Sequence, residues 1–498
     1  MLSALILVPI LSAAIVGFWP GNVTAKAARQ VALVVTGGIF LWSVILMTMF
    51  NPGDVNLQFQ ENIPWIQAIG LTYSLGVDGL SLPLLILNGL LTAIALYCTD
   101  SNTIRPRLYY ALMLLLNGAV AGAFLAQDLL LFFIFYELEL IPLYLLIAIW
   151  GGKRRGYAAT KFLLYTALSG ALVLASFLGL VFLSGSSSFS YAETRELASL
   201  LPVAQQLVLL GAVLIGFGIK IPFVPFHTWL PDAHVEASTP VSILLAGVLL
   251  KLGTYGLLRF GLGLFPEPWT ILAPWLGIWA AVSSLYGAFN AIVQKDMKKM
   301  VAYSSVAHMA YILLAAAAAT KLALVSSVLH MISHGLISAL LFLLVGIIYK
   351  KTGSRDITIL NGLLNPERGL PVVGSLMVLG VMASAGIPGM VGFISEFLVY
   401  WGSLQVLPIP TILCMLSTGL TVVYFLQLIG GAFFGRLATH LTDLPTVKFT
   451  EQLPGLVLAL LIVVLGLQPG WLLNLSEPIT ATLVTTPPNV AVNVSTNS

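Results

Sequence analysis

The sequence predicts an all-α polytopic membrane protein of about fourteen transmembrane helices, and three observations carry that prediction. Apolar runs of about 20 residues, each long enough to cross a hydrocarbon core of roughly 30 Å, recur from end to end. Of the 498 residues 59% are hydrophobic and only 8% charged, whereas soluble domains carry about 25% charged residues. The basic residues, finally, alternate in their loops as a correct helix count requires.

Divided at charged, Gly and Pro punctuation, the apolar runs cover 2–19, 30–50, 79–98, 107–126, 128–150, 157–184, 203–226, 241–265, 269–293, 300–319, 322–349, 370–401, 407–435 and 451–473. The first, within Met1 to Pro20, has no basic residue ahead of it. A secretory signal needs one, so this run reads as a retained helix. Between the second and third, the stretch Asn51 to Asp78 alternates at Asn56 to Gln60 and suits a small hairpin. After Glu477 the chain is polar and Thr- and Asn-rich, which predicts an exposed tail over 474–498.

Loops after the odd-numbered runs hold sixteen of the twenty-two basic residues: Lys26, Arg29, Arg105, Arg107, Lys153, Arg154, Arg155, Lys295, Lys298, Lys299, Lys350, Lys351, Arg355, Arg368, Arg436 and Lys448. The other side holds Arg195, Arg259 and Lys321, while Lys161, Lys220 and Lys251 fall within runs. By the positive-inside rule the rich side is cytoplasmic or stromal, and both termini face away from it.

Two runs are broken. The seventh reads Gly216-Phe217-Gly218-Ile219-Lys220-Ile221-Pro222-Phe223-Val224-Pro225, and the twelfth reads Ala385-Gly386-Ile387-Pro388-Gly389-Met390 ahead of Glu396. Proline removes a backbone donor and clashes with the preceding turn. Broken helices of opposite direction in corresponding places mark an inverted repeat with an ion path at its centre. The expected division is 1–106 for helices one to three, 107–265 for a first repeat of helices four to eight, and 269–435 for an inverted second repeat of helices nine to thirteen. The last helix, 451–473, and the tail follow.

Inside these runs stand Glu137, Lys220, Lys251, His308, His334 and Glu396. A charge at the bilayer centre costs at least about 2.5 to 3.5 kcal/mol, so each marks a functional site by default. Glu137 suits either a structural ion pair or a proton-carrying carboxylate. Glu139 lies about 200° further around the same helix, which cannot bring both to one path and makes Glu139 the peripheral one. Lys220 sits in the seventh break, where a nearby carboxylate would set its proton affinity. Lys251 has long apolar flanks on both sides, which argues against snorkelling to the interface.

On the eleventh helix Ser327, His330, His334 and Ser338 recur every three or four residues and share a face, and the tenth adds Ser304, His308 and Tyr311. Such a stripe suits a file of side chains and water; packing histidines, His330 first among them, are the plainer alternative. A metal pair lacks any Cys or carboxylate close by in sequence, and haem lacks an attachment motif. The segment His227 to Glu236, with Asp232 and His234, gathers titratable groups on the basic side. It suits a proton entrance or a turn that closes the helix end. Cys98 and Cys414 lie far apart and match no metal or disulfide spacing. The formal charge of +3 is scattered, which excludes a nucleic-acid partner.

Pro225-Phe226-His227-Thr228-Trp229-Leu230-Pro231-Asp232-Ala233-His234, Leu245-Ala246-Gly247 leading to Lys251, and Tyr303-Ser304-Ser305-Val306-Ala307-His308-Met309 together carry a resemblance. The chain resembles the antiporter-like membrane subunits of respiratory complex I and NDH-1, of the subunit M (chain 4) type. Gly76-Val77-Asp78-Gly79-Leu80-Ser81, Glu137-Leu138-Glu139-Leu140-Ile141-Pro142, Trp150-Gly151-Gly152 and Ala158-Ala159-Thr160-Lys161-Phe162 are similar to its cyanobacterial and plastid branch. The resemblance covers essentially the whole chain.

It implies a proton-translocating subunit of an NAD(P)H or ferredoxin:plastoquinone oxidoreductase. In that family Glu137 and Lys220 form the modulating pair, Lys251 is the central relay, His308 and His334 extend the wire and Glu396 is the exit carboxylate. His227, Asp232, His234 and His330 would be secondary. No cofactor is implied in this chain; iron–sulfur clusters and plastoquinone belong to partner subunits. The implied partners are other membrane-arm subunits, further antiporter-like ones included, and the bilayer of a thylakoid membrane. Ser242 stands where the photosynthetic branch commonly has His, and the tail after 474 matches nothing in it; both suit a paralogue serving CO2 uptake. The competing assignment is a subunit of a multi-subunit Na+/H+ antiporter, which shares the repeat and the lysines.

Overall fold

The computed structural model describes residues 1–19, 24–100, 102–367, 369–441 and 444–484. Arg368 and the tail beyond 484 lie outside the described residues. Helices α1 (Leu2–Phe18) and α2 (Ala25–Met49) lead to an antiparallel hairpin of β1 (Gln58–Ile66) and β2 (Leu71–Val77), as the alternation in that stretch predicts. Glu61 on β1 accepts from the backbone amides of Leu2 at 2.7 Å and Ser3 at 3.1 Å, so a carboxylate meets the otherwise unpartnered amides at the start of α1.

There follow α3 (Ser81–Tyr97), α4 (Pro106–Leu125), α5 (Leu129–Leu138), α6 (Leu140–Trp150), α7 (Arg155–Ser184), α8 (Tyr191–Ala198) and α9 (Val203–Lys220). The expected fifth helix is thus interrupted by a single turn residue, Glu139, between α5 and α6. Helix α10 (Trp229–Glu236) then occupies what was read as a loop. Its apolar Trp229, Leu230, Pro231 and Ala233 are buried, and about two turns of helix satisfy backbone groups that an irregular loop would leave unpaired among apolar side chains.

The expected eighth helix is a composite: α11 (Thr239–Leu244), a π-turn at Leu245–Leu249, α12 (Leu250–Gly256) and a second π-turn at Leu257–Leu262. Lys251 lies between the two π-turns, a backbone form found mostly at functional sites. Arg259, counted above with the loops of the other side although the run 241–265 contains it, lies within this helix and is buried. The reason is charge pairing, since Asp78 at the end of β2 meets its guanidinium.

Helices α13 (Pro266–Ile292), α14 (Met297–Ala318), α15 (Lys321–Thr352), α16 (Pro371–Ser384), α17 (Val391–Leu404), α18 (Pro408–Ala432), α19 (Phe449–Leu467) and α20 (Gly470–Ala481) complete the order. Helix α20 corrects the expectation that an exposed tail begins at 474. Leu472, Leu475, Ser476 and Thr480 are buried, and Ser476 donates to the Gly79 carbonyl at 2.8 Å. Between α16 and α17 the chain turns through Gly386 (φ 71°) and Gly389 (φ 91°), a left-handed backbone that glycine alone adopts freely.

Among the described residues eleven helical spans are long and apolar enough to cross a membrane. Four shorter apolar helices, α1, α3, α16 and α17, accompany them. Their burial orders the bundle from centre to rim. Thr239–Leu262 is 100% buried along its most apolar stretch, and α14 and α15 are each 94% buried, against 28% for α2 and 33% for α19. The innermost three spans carry Lys251, His308, His330 and His334, so burial itself locates the site.

Candidate functional site: a buried row of charges, imidazoles and hydroxyls

Lys220 ends α9, where the chain leaves helical geometry, and its ammonium meets the Glu139 carboxylate in a buried ion pair. The Tyr136 ring lies 4.4 Å from Nζ, a cation–π contact. The family resemblance implies Glu137 as this partner. The geometry corrects it: Glu139 is fully buried and faces Lys220, while Glu137 is half-buried against α7 and fills the space that a Cβ on Gly170 would need. The two carboxylates face opposite ways, as residues two apart on one helix do, and the side on which Lys220 arrives decides which of them it meets. Both carboxylates remain within electrostatic reach of Lys220.

Lys251 occupies the centre. Its Nζ donates to the Ala246 carbonyl at 2.6 Å, a group five residues back in the first π-turn, and lies 2.8 Å from His334 Nδ1. Among the described residues it has no carboxylate partner, so imidazole and carbonyl are its polar contacts. The His334 and His308 rings are 6.1 Å apart between centroids, a separation that one bridging water or a ring reorientation spans.

His308 Nδ1 then stands 3.1 Å from Glu396 Oε1, with both side chains buried. Ser384 Oγ is 3.3 Å from the other His308 nitrogen and comes from the end of α16, beside the break. Thr418 on α18 donates to Glu396 Oε2 at 3.0 Å and contacts the hydroxyls of Tyr400 at 2.5 Å and Tyr311 at 3.2 Å. His330 touches the row sideways: its Nε2 meets the His308 carbonyl at 3.0 Å and its Nδ1 meets Ser395 Oγ at 3.0 Å. With both nitrogens held, it braces the row.

The basic-side candidates separate. Asp232 is ion-paired with Lys161 at 2.8 Å. His227 lies between the rings of Tyr286 (4.8 Å) and Tyr303 (6.3 Å). His234 is fully buried and stacked on Phe342. Thr418 and the Asp78–Arg259 pair escaped sequence reasoning. Arg259 and Tyr400 had a signal, since Arg259 is eight residues from Lys251 and Tyr400 four from Glu396, each on the same helix face. Thr418 had none, being brought in from another helix. No group of three or more His, Cys, Asp or Glu side chains among the described residues is placed to hold a metal ion.

Comparison with known proteins follows this geometry. The family model for the membrane-spanning part of NADH:quinone oxidoreductase and Mrp antiporters matches residues 126–421. The chain is 42% identical over 482 residues to an NAD(P)H-quinone oxidoreductase chain 4 of Synechococcus sp. (strain JA-3-3Ab), covering 94% of this chain and 90% of that one. It is also 42% identical to a chain 4 of Synechocystis sp., covering 87% and 78%. A chain of respiratory complex I from Thermus thermophilus superposes with TM-score 0.87 at 27% identity, over 97% of this chain and all of that one. A chain of the Mrp complex from Dietzia sp. gives 0.86 at 21% identity, over 98% of each, a likeness of fold.

Proposed function

Because the chain belongs to the NADH:quinone oxidoreductase/Mrp antiporter membrane family, we propose that its buried row carries protons across the membrane for an NDH-1 type NAD(P)H-quinone oxidoreductase. The chain is an antiporter-like membrane-arm subunit of that complex, working beside other such subunits. Quinone reduction belongs to partner subunits, and this chain supplies the coupled proton step.

One observation carries the reading. Lys251, His334, His308, Glu396, Thr418 and Tyr400 form a row in which every neighbour but one is within hydrogen-bond reach, in the most buried part of the bundle. In the closed state seen here Glu139 holds Lys220. When charge changes at one end of the membrane arm, the pair separates, the field at Lys251 shifts and its proton moves by way of His334 and His308 to Glu396. The two broken helices support the reading, and a division into two five-helix halves, 107–265 and 269–435, would supply a pair of half-paths meeting at Lys251. The loop asymmetry supports a lumenal placement of both termini in a thylakoid membrane. Ser242 supports the narrower assignment to a complex serving CO2 uptake.

The test is Lys251→Met in the complete complex reconstituted in vesicles. Quinone reduction should persist while proton pumping falls by on the order of 10²-fold, the lower end of what a positioned proton-transfer group contributes. Unchanged pumping would reject the assignment. The Na+/H+ antiporter reading rests on the shared family model and on likeness of fold; sodium-dependent exchange without a quinone-reducing partner would favour it.

A further inference from the structure

On the basic side a cleft of about 1190 Å³ opens between the α3–α4 connection, the chain after α6, the segment from Val235 to Pro240 and the end of α15. Val235 and Leu343 are among its lining residues. Next to them in the chain, His234 and Phe342 are stacked with ring centroids 4.4 Å apart and an interplanar angle of 10°. His234 is fully buried, yet neither of its ring nitrogens has a hydrogen-bond partner among the described residues. A buried unpaired polar group costs about 1 to 3 kcal/mol and calls for an explanation.

The register of α15 supplies one. Gly346, Phe342, Ser338 and His334 follow at intervals of four and lie on one face. Gly346 lines the cleft and His334 touches Lys251, so Phe342 stands between open cleft and proton relay. Lys298, on the cleft wall with Nζ donating to the Ala237 carbonyl at 2.5 Å, and Lys251 are both within electrostatic reach of His234. We infer that the His234–Phe342 stack is the inlet gate of this subunit: closed, it separates the cleft from Lys251, and when the rings part the unpaired nitrogens of His234 join the file.

This rests on the proton path proposed above, and its test is kept separate from pumping. In the complete complex in vesicles, Ser338→Cys places a thiol just behind the gate, and a hydrophilic thiosulfonate is applied to the basic-loop face. Asn102→Cys, at an exposed position lining the cleft, is the positive control, while buried Cys414 is the negative one. The expected result is a shielded residue 338 in the parent and labelling near the residue-102 level once Phe342→Ala is added. Phe342→Leu should give intermediate labelling and serves if the alanine variant does not assemble. His234→Phe, which keeps a ring in the stack and removes the nitrogens, should leave residue 338 shielded but lower pumping. Equal labelling with and without Phe342, whether high or low, would overturn the gate. Labelling needs no turnover, so normal pumping by Lys251→Met would sink the proton path without deciding this result.

Discussion

At the Lys220 end of the row, an ammonium and a carboxylate face each other directly with one tyrosine ring beside them. Around Glu396 the carboxylate shares an imidazole and a threonine, and through that threonine two tyrosine hydroxyls. A lone buried pair has two discrete states, closed and open, and removing either member leaves a charge with nothing to meet it. A hydroxyl and imidazole network offers many positions for one proton and loses little when a peripheral member goes. The first arrangement suits a switch and the second a wire.

Substitution can break this comparison. Glu139→Gln should destabilise the assembled subunit by about 3 to 5 kcal/mol, the cost of orphaning one member of a buried pair, and should uncouple pumping from quinone reduction. Glu137→Gln should cost much less in stability, because the direct contact with Lys220 is made by Glu139. Equal losses in thermal unfolding of the solubilised complex would restore Glu137 as the partner. The double variant Glu139→Gln/Lys220→Met should recover stability without recovering pumping, as a switch requires.

Asp78→Asn orphans Arg259 and is expected to show a loss on the same scale of about 3 to 5 kcal/mol, read as assembly yield. Arg259 lies two helical turns beyond Lys251, so a structural clamp there predicts unaltered pumping per assembled complex. Thr418→Val removes a hydrogen bond to a carboxylate, worth about 1.5 to 3 kcal/mol, and should slow pumping while quinone reduction and assembly survive. His330→Gln should have the smallest effect, within about 1 kcal/mol of the parent. Loss of pumping on that change would move His330 from brace to relay and make the row branch.

Periodicity and charge made much of this legible beforehand. Helices α7, α13, α14 and α18 match their predicted runs within a few residues, because a long apolar run bounded by charged or turn residues has only one stable form in a bilayer. The spacing of His330 and His334 placed both on one face, and the row uses the second of them. Spacing could not decide which carboxylate meets Lys220, since it separates the two onto opposite faces without saying which face Lys220 approaches. Short helices are equally hard to foresee: α10 and α20 fold because neighbours bury one of their faces, and isolated helices of that length are marginal.

What the sequence by itself determined was that charges lie buried in a polytopic bundle, because no other environment accommodates apolar runs of this length and number. The tertiary structure decided which charges meet. Glu139 closes on Lys220, Asp78 on Arg259 and Thr418 on Glu396 across separate elements, and such contacts depend on how helices pack and where they bend. In a medium that penalises every unpaired charge, packing settles the partners.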